Sequence, residues 1–305
     1  MHTLATPLSA VWQPVRRVLK PIWYGLFRYH PYHYLGALAW AVMGQQARRS
    51  FLDEFSKPFP RVGLRQHCLR EYWNNVYFAQ YADSPITPGP LLNQLWGGSG
   101  ATEYHAHHLQ YFTEHMDEFV QVHTHLFNQL AQFLAEEEFD YVVEVGCGSG
   151  MIIERVAAQA EHSRAQFVGL DLNPEIIALN RQRHPHSRVQ YHQAKSLQEF
   201  LSQVRPASVL VFANATFTFF TELELQNCLN WLATHVPCGA IVIADATVLD
   251  VRSERHSRPY GVLTFSHNYD LLLRQAGLKQ VRCDFPPAPS PTIKKVLASA
   301  TWGTK

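Results

Sequence analysis

Two rhythms of apolar residues divide the chain near residue 139. Before that point, apolar and aromatic positions recur at three- and four-residue spacing. Residues 102–137 are the clearest case, with Tyr104, His108, Phe112, His115, Phe119, Val122 and Leu126 marking one face of a single long helix. Farther upstream, residues 8–80 read as helical pieces interrupted by Pro14, Pro21, Pro31, Pro58 and Pro60. A Pro-rich break at 84–90 and a Gly-Ser break at 97–100 follow.

After residue 139, short β-rich runs alternate with helical stretches. Strands are expected at 141–145, 166–170, 188–192, 208–212 and 240–244, and helices at 151–160, 174–183 and 222–235. This alternation implies βαβ crossovers and a parallel sheet covered on both faces. The end differs: a helix over 268–276 is stopped by Gly277, and strands at 280–284 and 294–301 form a hairpin at the sheet edge. The expected fold class is α/β, a doubly wound, mostly parallel seven-stranded sheet with a helical N-terminal extension. Residues 1–100 would be the extension, and 101–305 the sheet domain with its leading helix.

Composition narrows the class. Hydrophobic residues make up 47% and charged residues 17%, so the chain is globular and not disordered. A net charge of +1 supplies no global field for nucleic acid. The five cysteines include no Cys-x-x-Cys pair, which fits a reducing, cytoplasmic compartment better than a disulfide framework. No short basic stretch leads into an apolar run at the start, so no signal peptide is expected. The longest nearly unbroken apolar stretch, 34–44, falls short of the roughly 20 residues that cross a bilayer.

Charge is nonetheless uneven. Residues 1–50 hold six Lys or Arg, no Asp or Glu, and eight aromatics. Three uses fit that composition: contact with an anionic membrane surface, a cap over the substrate, or a homodimer interface. Residues 101–140 invert the balance, with eight acids, no Lys or Arg, and six histidines. His105, His107, His108, His115, His123 and His125 contain no His-x-x-x-His pair, the helical spacing a metal prefers.

The chemistry concentrates in Glu144-Val145-Gly146-Cys147-Gly148-Ser149-Gly150, at a strand-to-helix turn. Glycines there let the backbone approach a ligand and expose amides at a helix N-terminus. Two acids sharpen the motif: Glu144, two residues before the first glycine, and Asp171, which ends the second strand. An acid at that strand end can accept hydrogen bonds from ribose hydroxyls. A nicotinamide-binding fingerprint would place its third glycine at Met151 and an apolar residue at 144.

Glu-x-Gly-x-Gly-x-Gly followed by a strand ending in Asp resembles the class I S-adenosylmethionine-dependent methyltransferases. The resemblance covers about residues 135–301, and it implies a Rossmann-like methyltransferase fold with S-adenosylmethionine as cofactor and S-adenosylhomocysteine as product. By that resemblance Glu144 lies near the methionine amino group. Gly146, Cys147 and Gly148 shape the cofactor loop, Asp171 holds the ribose, and Leu172 packs on adenine. Lys195 and Ser196 line the adenine edge. Many family members carry an Asp near position 195, and a lysine cannot accept the hydrogen bond such an Asp takes. That departure is the one feature favouring an alternative, a methyltransferase fold kept as a catalytically degenerate scaffold or binding module. Asn214 would sit between cofactor and substrate, with Phe217 and Phe220 over the sulfonium.

The same resemblance bears on the acceptor. Asn214-Ala215-Thr216-Phe217 is not the Asn-Pro-Pro-aromatic motif of amino-methylating nucleic-acid enzymes, and Asn214 replaces the Asp of catechol-type, metal-dependent relatives. The expectation is therefore a small, aromatic or lipophilic acceptor methylated at oxygen or nitrogen, with no nucleic acid and no catalytic metal. His267 and Tyr260, beyond the fifth strand, are the candidate catalytic residues beside Asn214. Tyr104, Tyr111 and His115, on the leading helix, are further candidates to touch the ligand.

Overall fold

The computed structural model describes residues 31–48, 68, 69, 72, 96, 99–185, 187–247, 257–259, 264–286 and 294–303. The chain divides into two compact units, residues 1–55 with 60–84, and 56–59 with 85–305. In the first unit the helix α1, Pro31–Val42, presents Tyr34, Leu35, Leu38 and Val42 to solvent. Their spacing puts them along one side of the helix. On the same helix Gly36 lies so close to the carbonyl of Cys68 that a Cβ would collide with it. The Arg48 guanidinium reaches back to α1, where it donates to the Trp40 carbonyl and covers the Trp40 ring.

The second unit is built on the sheet. Two helices lead in, α2 (Ser99–Glu114) and α3 (Met116–Glu136). Then follow β1 (Tyr141–Val145), α4 (Met151–Gln159), β2 (Gln166–Asp171), α5 (Pro174–Arg183), β3 (Val189–Gln193), α6 (Leu197–Val204) and β4 (Ser208–Asn214). A 3-10 turn (Phe217–Phe219) leads to α7 (Glu222–His235) and β5 (Cys238–Thr247). A two-residue ladder of β6 (Arg258–Pro259) and β7 (Phe265–Ser266) precedes α8 (Tyr269–Gln275), β8 (Lys279–Asp284) and β9 (Lys294–Trp302).

The seven strands run in the order β3-β2-β1-β4-β5-β9-β8. Every neighbouring pair from β3 to β5 is parallel, while β9 is antiparallel to both β5 and β8. The expected doubly wound sheet with a terminal hairpin is thus present. Its central strands are apolar on both faces because helices cover both, as the unbroken burial of Val209, Leu210, Val211, Phe212 and Ala213 shows. Residues Val143, Val168, Val211 and Ile241 pack with α6, α7 and α8. Residues Val142, Phe167, Phe212 and Val242 pack on the other face with α3 and α4. The strand order reverses between β1 and β4, so the crevice beyond their carboxyl ends is where a ligand belongs in such a sheet.

Two departures from the sequence pattern matter. The single helix expected over 102–137 is two helices meeting at His115, whose φ of −128° and ψ of 53° leave the helical region. The His115 ring hydrogen-bonds the Tyr111 carbonyl at 2.8 Å, a local competitor for the carbonyl that the helix also uses. Phe112, Phe119 and Leu126 of the expected face are buried, joined past the kink by His123, Leu130 and Phe133, while His115 and Val122 are exposed. The second departure is α6, which no strong apolar rhythm announces. Ser196 caps it by accepting from the Glu199 amide, and Leu197, Phe200 and Leu201 bury its one short apolar face.

Candidate active site

The loop after β1 owes its course to glycine. Gly146 and Gly148 have φ of 70° and 47°, a region that side-chain-bearing residues rarely enter. A Cβ on Gly146 would strike the Thr216 side chain, and one on Gly148 would lie 2.6 Å from the His105 ring. The loop therefore packs closely against groups from α2 and from the turn after β4. Cys147 contributes backbone only: its amide donates to the Leu170 carbonyl at 2.9 Å, and its thiol is buried in the core below the loop. Burial pushes that thiol well above its ordinary range.

The two motif acids clamp this loop from beneath. Glu144 is buried, and its Oε2 accepts from the Ile153 amide at 3.1 Å, in the first turn of α4. Burial raises its pKa strongly, with neighbouring Asp171 adding to the rise. Asp171 Oδ2 accepts from the Gly148 amide at 3.0 Å and its Oδ1 from the Asn173 amide at 2.9 Å. Burial raises this carboxyl as well, against the pull of those backbone donors. The Leu172 amide also points at this carboxyl, and a carboxylate has about four acceptor sites, so room remains for a ribose hydroxyl. Asn180 completes the clamp by donating to the Gly148 carbonyl at 2.7 Å.

The adenine-side candidates lie one strand away. Leu172 is half-buried, directly after Asp171, and its carbonyl accepts from the Gln193 side chain at 3.3 Å. Lys195 is exposed, and its amide donates to the Glu199 carboxylate at 2.9 Å. Ser196 is committed to the α6 cap, though its hydroxyl proton is still free to donate. An acid with spare lone pairs, an apolar neighbour and a glycine loop opening a helix together fit a nucleoside-bearing cofactor.

Asn214 stands at the end of β4, half-buried, with its side-chain amide 3.5 Å from His123 Nε2. By sequence His123 is only one of several histidines in an acidic region, with no role of its own. Phe217 is fully buried among the residues packed with α7 and α8, and Phe220 stands edge-on to it. This corrects the expectation that Phe217 covers a sulfonium, because a side chain closed inside the core has no face left for a ligand; Phe220 is only half-buried. Phe219 instead meets Trp96, with ring centroids 4.8 Å apart.

His267 is 1% exposed, and both ring nitrogens are engaged. Nε2 lies 3.1 Å from the Phe217 carbonyl and Nδ1 2.6 Å from the Ser257 hydroxyl. The carbonyl can only accept, so Nε2 carries the proton and Ser257 donates to Nδ1. Burial pulls its pKa down to about 4. The ring joins the turn after β4 to the loop after β5, which makes it a brace and not the free base expected of it. Tyr260 lies outside the described residues. Tyr111 and His115 stack on each other at an exposed position, whereas Tyr104 adjoins the loop-packing His105. Among the described residues no three His, Cys, Asp or Glu side chains assemble into a metal-binding group.

Residues 142–239 match a family model described as a methyltransferase domain. Solved structures with similar chains include the N-methyltransferase NodS from Bradyrhizobium japonicum, at 16% identity over 59% of this chain and 96% of that one, with a TM-score of 0.43. The Burkholderia thailandensis 1,6-didemethyltoxoflavin-N1-methyltransferase shares 17% identity over 73% of this chain and 93% of its own, TM-score 0.44. Human N-acetylserotonin methyltransferase shares 12% identity over 79% and 70%, TM-score 0.49. No curated protein matches the chain. The matched stretch begins within β1 and ends within β5, so it contains Glu144, the glycine loop, Asp171 and Asn214, while His123 and His267 lie outside it.

Proposed function

We propose that the chain transfers a methyl group from S-adenosylmethionine to an oxygen or nitrogen of a small, aromatic or lipophilic molecule. The observation that carries this reading is the bond between Asp171 and the Gly148 amide, which ties the strand-end acid to the glycine loop. One residue set thus offers acceptors for a ribose and backbone donors for the rest of the cofactor. The cofactor supplies an already activated methyl group, so the protein's task is alignment and, where needed, removal of a proton. Calorimetric titration tests this. Micromolar binding of S-adenosylhomocysteine, without binding of NAD or NADP, is the expected result. Binding of a nicotinamide cofactor overturns the reading, and binding of none favours the scaffold.

We also infer that residues 1–50 rest on an anionic membrane surface. Six basic and no acidic residues, with Leu35, Leu38 and Val42 exposed along α1, support this. Among the described residues no helix is long and apolar enough to cross a membrane. The intact protein is expected to sediment with vesicles containing phosphatidylserine, and roughly tenfold less when salt is raised or when Leu38 and Val42 are changed to Asp. Equal sedimentation with neutral vesicles would remove the electrostatic half of the argument, and no sedimentation at all would remove the whole.

A further inference from the structure

An unbroken row of aromatic rings connects the glycine loop to the end of β4. Trp96 packs on His105, which lies against Gly148, and on Tyr104. Tyr104 stacks on His108 at 5.3 Å, and His108 meets Phe112 edge-on at 4.7 Å. Phe112 in turn faces His123 at 6.2 Å, and Phe119 adjoins His123 at 4.6 Å. The row ends where His123 Nε2 meets the Asn214 amide.

The state of the His123 ring follows from its bonds. Nδ1 lies 2.8 Å from the Phe119 carbonyl, so Nδ1 carries the proton and Nε2 holds the lone pair. A contact of 3.5 Å to Asn214 is at the outer edge of a hydrogen bond, so that lone pair is weakly held. The groups around the ring favour its neutral form. Burial lowers its pKa first, and positive Lys295 and the His108 ring lower it further, against the Phe119 carbonyl. Lys295 is itself fixed nearby, donating to the Val122 carbonyl at 3.2 Å.

We propose that His123 Nε2 and Asn214 form the acceptor site, and that the acceptor is a flat aromatic molecule whose hydroxyl gives its proton to His123. The proposal rests on the methyltransferase reading and names the substrate class of that site. Farther along the same row Tyr104 is half-buried and His108 exposed, and these two keep faces on which a planar ring can stack or meet edge-on. A neutral imidazole with a free lone pair suits an acidic hydroxyl more than an amine that is already protonated. Lys295 favours the oxyanion that forms. The proton moves from the hydroxyl to His123 Nε2, the oxygen's electron pair forms the new bond to the methyl carbon, and the old methyl–sulfur pair stays on sulfur. The Asn214 amide, displaced from Nε2, donates to the same oxygen and holds it in line.

The probe is 4-nitrophenol, whose visible absorbance separates phenol from phenolate. It is titrated into the protein saturated with S-adenosylhomocysteine. The wild-type protein is expected to bind it with a rise in phenolate absorbance at slightly acid pH. His123→Gln is expected to bind it on the order of 10–100-fold more weakly, with the phenolate signal lost, as suits removal of a buried hydrogen-bond partner. Its affinity for S-adenosylhomocysteine should not change. No probe binding by the wild type, or equal binding and signal in both proteins, overturns the acceptor site. Failure of the wild type to bind S-adenosylhomocysteine would instead overturn the cofactor reading, so the two failures are distinct. If His123→Gln does not fold, Asn214→Ala takes its place, with weaker probe binding as the expected result and unchanged binding as the refuting one.

Discussion

Replacing Asp245 by Asn is expected to stabilise the protein by about 2–4 kcal/mol at roughly pH 8 and to change little at roughly pH 4. Asp245 lies near the end of β5, 5% exposed, facing α8. Its Oδ2 accepts from the Tyr269 hydroxyl, and its buried Oδ1 has no partner among the described residues at full hydrogen-bond geometry, the Thr218 amide being the nearest donor to the carboxyl. Burial outweighs the Tyr269 and Thr218 donors and lifts the pKa from an ordinary 3.8 to about 7. A carboxyl whose folded pKa is raised binds its proton more tightly in the folded state. Its contribution is therefore complete below about pH 4 and is lost as the pH climbs through about 7. A rise of that size is equivalent to about 4 kcal/mol of preference for the protonated form. The amide keeps an oxygen for Tyr269 and never ionises. Its NH2 occupies the unpartnered Oδ1 position, which trims the gain. Thermal melts of both proteins between about pH 5 and 8 decide the matter. The wild-type midpoint should fall relative to the variant as pH rises. Parallel curves would mean that Asp245 does not titrate in this range.

Most of the sheet was legible because its signals are local. Each βα unit carries its own apolar run and its own stop. The helices over 174–183 and 222–235 begin where expected, and the structure shows why: Asn173 caps the first ahead of Pro174, and Thr221 with Glu224 forms a capping box at the second. The site's first layer was legible for the same reason, since Glu144, Gly146, Gly148 and Asp171 form a motif of fixed spacing. What sequence did not disclose depends on contacts between distant segments. His123 and Asn214 are 91 positions apart, and the expected helix face held Val122, which is exposed, in place of its neighbour His123. Nothing in His115 announces a kink, as neither Pro nor Gly is involved. The roles assigned to His267 and Phe217 failed by the same logic. A histidine near a helix start looks exposed in sequence, and only the fold shows Ser257 and the Phe217 carbonyl occupying its ring. Asn180 and Asn173 were also missed. The first is a mid-helix polar residue on the buried side of α5, a pattern that could have marked it as bonded to something across the core.

Asp171→Ala should weaken S-adenosylhomocysteine binding by about 10–100-fold, or about 1–3 kcal/mol. Two losses contribute, and they separate experimentally. The first is the contact to the ribose that the methyltransferase reading assigns to this carboxylate. The second is internal: the Gly148 and Asn173 amides lose their acceptor, and a buried amide without one costs about 1–3 kcal/mol. The variant should therefore melt at a lower temperature even without ligand, and its glycine loop should be less ordered. Asp171→Asn divides the two effects. Its remaining oxygen can serve one amide, while its NH2 must face the other as donor against donor. If the carboxylate acts mainly through the ribose, adenosine, which retains both ribose hydroxyls but no amino-acid tail, should lose affinity by the same factor as the full ligand. If it acts mainly by shaping the loop, the full ligand should lose more than adenosine does, because the loop then fails the tail and not the sugar. Unchanged affinity for both, in a folded variant, would remove Asp171 from the cofactor site. The resemblance would then survive only as a likeness of fold.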